Sequence, residues 1–97
     1  MPYTRPHDAK SPRENWTLID VLYDGGESEH AVAIGEWNGV RRLAMRWNGT
    51  EERPAGNPQS RGNATWFVLP PEIYDAGIID KLPTNKQAIA KALLGRS

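Results

Sequence analysis

Glu29-His30-Ala31-Val32-Ala33-Ile34-Gly35-Glu36-Trp37-Asn38-Gly39-Val40-Arg41-Arg42-Leu43-Ala44-Met45-Arg46-Trp47 is the stretch that decides the fold. Asn38-Gly39 suits a two-residue type I′ hairpin turn, because both turn positions need positive φ. Such a turn leaves no freedom of register. Trp37 must face Val40, Glu36 Arg41, Gly35 Arg42, Ile34 Leu43, Ala33 Ala44, Val32 Met45, Ala31 Arg46 and His30 Trp47. Two unlike faces result. Val32, Ile34, Leu43, Met45 and Trp47, with an outer Glu36–Arg41 pair, form a face for a helix to cover. Ala31, Ala33, Gly35 and Ala44 form the other, framed by Trp37, Val40, Arg42 and Arg46.

Toward the N-terminus, residues 16–23 are aromatic and β-branched and run into Asp24-Gly25-Gly26, a strand followed by a turn. Residues 1–15, with Pro2, Pro6 and Pro12 among polar side chains, read as a flexible N-terminal arm. Toward the C-terminus, Asn48-Gly49 repeats the strand-ending signal of Asn38-Gly39. Residues 51–64 form a long polar connection, a length that marks a loop as functional or loosely ordered. Residues 65–69 read as a fourth strand, stopped by Pro70-Pro71, with a short helix from Pro71 to about Gly77. Thr84 with Gln87 matches a capping box, after which Ala88, Ile89, Ala92 and Leu93 form an apolar stripe, Lys86 and Lys91 point elsewhere, and Gly95 closes the helix. The expected fold is therefore α+β, a four-stranded antiparallel sheet with one or two C-terminal helices, residues 16–97 forming a single domain.

Length agrees, since 97 residues suffice for one core and not for two. Only 38% are hydrophobic, so the core must be thin, and an incompletely covered sheet leads us to expect a homodimer. No apolar run is long enough for a membrane span and residues 1–10 lack a secretory signal, so a cytoplasmic protein with no membrane association is expected. There is no cysteine, which removes disulfides, thiolate metal sites and cysteine nucleophiles. His7 and His30 have no predictable partner, and the carboxylates show no metal-ligand spacing. No nucleophile motif occurs, so neither catalysis nor a cofactor or metal is expected.

Twelve basic and twelve acidic side chains cancel overall but not locally. Residues 14–40 carry a net −6, whereas residues 41–61 carry a net +3 that includes Arg41, Arg42, Arg46, Arg53 and Arg61. Neutrality argues against binding nucleic acid through bulk charge, but not against a local platform. The small-residue face offers one: a flat floor bordered by guanidinium groups and an indole lets bases stack and phosphates bind. Trp37, Arg42 and Arg46 are the expected nucleic-acid-binding residues, with Arg61 in the adjoining loop as a further contributor. The competing explanation of the same floor is close approach of a second sheet or protomer, with the arginines paired to the acidic first strand.

The order of motifs also resembles a known family. Val32-Ala33-Ile34-Gly35-Glu36-Trp37-Asn38-Gly39, then Arg42-Leu43-Ala44-Met45-Arg46-Trp47, then Phe67-Val68-Leu69-Pro70-Pro71-Glu72-Ile73 is similar to the compact bacterial members of the positive-cofactor-four family of transcriptional coactivators. The resemblance covers residue 16 to about residue 77. It implies a dimer whose curved sheets bind single-stranded DNA through basic and aromatic side chains, and by position it implicates Trp37, Arg42 and Arg46. The chain departs from that family in its neutral charge, in having no lysine between Ser11 and Asp80, in Pro70-Pro71 and in its extra C-terminal helix. The expected function is non-catalytic single-strand nucleic-acid binding, transcription- or repair-related. The alternative is a small protein-interaction module, such as a phage- or plasmid-encoded inhibitor of a host nuclease or repair complex.

Overall fold

A computed structural model describes residues 3–11, 14–71 and 78–95. The expected register is found: β2 (His30–Trp37) and β3 (Val40–Trp47) pair antiparallel from Trp37 opposite Val40 to His30 opposite Trp47. Asn38 at φ 51° and Gly39 at φ 83° take the two left-handed positions that the turn requires. β1 (Trp16–Asp24) pairs antiparallel with the outer side of β2. Two register shifts, between Leu18 and Asp20 and between Val21 and Tyr23, bend it. On the other side of β3 lies β6 (Phe67–Val68), giving the order β1-β2-β3-β6. A separate hairpin of β4 (Gln59–Ser60) and β5 (Asn63–Ala64) turns through Arg61 and Gly62, both at positive φ. One C-terminal helix, α1 (Thr84–Leu94), completes an α+β fold that is mostly sheet.

The helix-side face holds Leu22, Val32, Ile34 and Leu43, covered by Leu69, by Ile79 of a one-turn 3₁₀ helix (Ile79–Lys81), by Leu82 just after it, and by Ala90. α1 is rotated relative to the expected stripe. Ala90 is buried, with Leu93 and Leu94 beside it, whereas Ala88, Ile89 and Ala92 face outward. Two polar contacts set that rotation: Lys86 reaches Asp20 of β1 at 3.3 Å, and the Arg41 guanidinium donates to the Leu93 carbonyl at 3.0 Å. The second places a cation at the helix C-terminus, where the macrodipole favours it. Arg41 therefore serves the helix, and no ion pair joins it to Glu36 across the hairpin. The capping box does not form. Pro83 occupies the cap position, its carbonyl accepting from the amides of Lys86 and Gln87, while the Gln87 side-chain amide reaches back to Leu82 O at 2.9 Å. Gly95 closes the helix at φ 74° as expected.

The opposite face explains its own small residues. A Cβ on Gly35 would lie 2.6 Å from the Trp16 ring and 2.5 Å from the Thr17 carbonyl oxygen. Trp16 thus lies directly over Gly35. Trp66 lies beside it with ring centroids 6.5 Å apart, and the two close over Ala31, Ala33 and Ala44. Residues 3–11 pack onto this layer instead of extending away as an arm: Pro6 and Ala9 are buried, Ala9 O accepts from the Trp66 indole, and Ser11 pairs in parallel with Thr65. The expected fourth strand is correspondingly shorter, because Thr65 bridges to Ser11 and Trp66 turns onto the floor, leaving Phe67 and Val68 to pair with β3. The short helix expected from residue 71 to about residue 77 lies largely outside the described residues.

Adding one methyl group at Gly35 tests this layer. Gly35→Ala should lose about 1–3 kcal/mol of unfolding free energy in a denaturant titration, because the ring and backbone above it must shift.

Candidate nucleic-acid interface

The four expected binding residues do not stay together. Arg46 is 2% exposed, on the Trp66 side of the sheet. Its two terminal nitrogens donate to the carbonyls of Thr65 and Ala55, with a longer contact to Pro58 O at 3.4 Å. Its carbon Cζ sits 5.9 Å from the Trp66 ring centroid. Desolvation by burial lowers its pKa from the ordinary arginine value, yet guanidinium stays protonated in proteins, so the carbonyls solvate a permanent buried cation. Arg46 is a clamp between the sheet and residues 55–65, and it is withdrawn from any solvent-facing platform. Asn48 does similar work at the end of β3, donating to Asp24 Oδ1 at 3.0 Å and to Gly26 O at 2.8 Å.

Trp37 and Arg42 do come together. With Gly35 opposite Arg42, Trp37 lies two residues further along β2 on the same face. Both line a groove of about 580 Å³ whose other walls are Trp66, Val68, Pro70 and Pro71, with Phe67 at its lip. Both are half-buried, and the Arg42 guanidinium has no hydrogen-bond or ion-pair partner among the described residues. Arg61 sits instead at the exposed turn of the β4–β5 hairpin.

A second group went unassigned in the sequence. Tyr23, His30, Trp47 and Phe67 stand on β1, β2, β3 and β6 respectively, forming an aromatic row across all four strands on the helix-side face. Tyr23 and His30 stack with centroids 4.9 Å apart at 30°, and His30 meets Trp47 edge-on at 6.1 Å. Trp47 is 57% and Phe67 60% exposed. Between them lies an apolar groove of about 580 Å³, walled by His30, Met45, Pro58 and Leu69. The signal for it was length. Eleven helical residues span about 16 Å and eight strand residues about 26 Å, so one helix cannot cover the whole face. α1 lies toward the hairpin end, where Arg41 and Asp20 hold it, and at the other end Trp47 stays exposed while Tyr23 and His30 lie near Ile78, Lys81 and Leu82.

Among the described residues no cluster of three or more histidine, aspartate or glutamate side chains is placed to hold a metal ion, and no helix is long and apolar enough to cross a membrane. No protein-family model matches the chain, and neither curated proteins nor solved structures include a significant match to it.

The two arginines should separate cleanly by mutation. Arg46→Gln should cost about 1.5–3 kcal/mol of stability, since buried carbonyls lose charged donors, whereas Arg42→Gln should leave the denaturation midpoint unchanged.

Proposed function

We propose that the chain is a non-catalytic protein that binds single-stranded nucleic acid, in a transcription- or repair-related role. The observation that carries this reading is the exposed end of the aromatic row, where Trp47 and Phe67 stand on neighbouring strands. Stacking on such rings needs no sequence readout, because every base presents a π face. Phosphate contact falls to Arg42 rather than to bulk charge, in keeping with a net charge of zero. The resemblance to the positive-cofactor-four family points the same way, with the contact surface moved from Arg46 to Trp47 and Phe67. We also propose that the protein acts in the cytoplasm as a homodimer, since Ile19, Val40 and Ile89 remain exposed on a thin core. Sedimentation at tens of micromolar, a range set by moderate dimer affinity, should then give twice the chain mass.

A protein partner is the second reading. It is favoured by the strongly apolar walls of the Trp47 groove, which suit a hydrophobic side chain as well as a base. Titration of the protein's fluorescence with single-stranded oligonucleotides at several salt concentrations decides between the two. Nucleic-acid binding predicts that Trp47→Ala loses ~1–3 kcal/mol of affinity with an unchanged salt slope. It also predicts that Arg42→Gln lowers the slope of log K against log salt by about 0.7, the loss of one phosphate contact. Absence of oligonucleotide binding at low salt, together with stoichiometric capture of one protein in nuclease-treated extract, would favour the second reading.

A further inference from the structure

The two grooves lie on opposite faces of the sheet and share Phe67 and Leu69 as a common wall. β6 is the edge strand of the sheet among the described residues, and both grooves reach it. Leu69 is buried, which leaves the Phe67 ring as the exposed surface joining them. Trp37 stands opposite Val40, seven residues from Trp47 on β3, so the two tryptophans are separated by about 23 Å along the strand direction. Arg42, without a partner among the described residues, lies on the Trp37 side.

Resting on the single-strand reading above, we propose that these grooves form one continuous track that turns around the β6 edge over Phe67. It takes one strand of at least about four nucleotides and rejects duplex. Bases stack on Trp37, Phe67 and Trp47, and a backbone phosphate meets Arg42. The geometry itself sets the discrimination. A strand entering at Trp37 must cross to the other face within the thickness of a single sheet layer, well under the ~10 Å that separates stacked sheets. Single strands rotate freely about their backbone bonds, whereas duplex DNA has a persistence length of about 50 nm and cannot follow such a turn. Linking the anchors through one flexible strand also makes each later contact intramolecular, so affinity must climb steeply with length until every ring is engaged.

Calorimetric titration of the intact protein with oligothymidylates of two, four and eight nucleotides, and with an eight-base-pair duplex, tests the track. The octamer should bind at least 100-fold more tightly than the dinucleotide, with one strand per chain, and the duplex should bind no better than the dinucleotide. Arg42→Gln and Trp47→Ala, changes on opposite faces, should each weaken the same octamer while one strand per chain is retained. Phe67→Ser, a change at an exposed position with the fold checked by circular dichroism, should reduce the gain from dinucleotide to octamer roughly tenfold or more. Two dinucleotides bound per chain with no gain for the octamer would overturn the track and leave single-strand binding standing, since independent grooves behave that way. Duplex binding as tight as the octamer would also overturn it. No binding of any oligonucleotide would overturn both the track and the reading on which it rests.

Discussion

Two indoles packed over an alanine and glycine floor are the contact on which the remaining structure depends. Trp16 can approach the sheet only because position 35 has no Cβ, and Trp66 can lie beside it only because Ala31, Ala33 and Ala44 are short. A thin chain thereby gains a second core. The helix-side face provides an aliphatic cluster around Ile34 and Leu43, and the other face substitutes two large aromatic surfaces for the second helix layer that 97 residues cannot supply. Bringing Trp66 to the floor draws in residues 55–65, whose carbonyls then need a donor. Arg46 is that donor, and the fold accepts a buried cation in exchange for a fixed loop.

Placement of the aromatic row follows from the same economy of length. With the floor of one face covered by Trp16, Trp66 and residues 3–11, α1 is left to the other. It is anchored at the hairpin end by Lys86–Asp20 and by Arg41 on its last turn. Tyr23, His30, Trp47 and Phe67 occupy the strip beyond its reach. An exposed tryptophan and phenylalanine on neighbouring strands keep apolar surface in water at a free-energy cost that folding alone does not require, which is the physical reason to look for a ligand there.

Much of this was legible in the residues because local chemistry dictates it. Asn38-Gly39 fixes a turn, the turn fixes eight cross-strand pairs, and those pairs separate small from large side chains. Gly95 likewise ends its helix for a local reason. What escaped was set by distant partners. Small side chains at positions 31, 33, 35 and 44 announce a close approach without saying from what, and an open platform and a roof of tryptophans leave the same pattern. Arg46 looks like Arg42 in the sequence; only the carbonyls of residues 55, 58 and 65 distinguish a clamp from a free cation. The rotation of α1 was hidden in the same way, since Lys86 faces the sheet on account of Asp20, 66 residues away.

The chain has four tryptophans, and their indole N–H resonances divide the account at its centre. On addition of a single-stranded oligonucleotide to isotopically labelled protein, the signals of Trp37 and Trp47 should shift while that of Trp16, which lines neither groove, stays in place. A shift at Trp16 with none at Trp47 would mean that the small-residue floor opens to ligand, and would contradict the division between a roofed floor and a free aromatic strip.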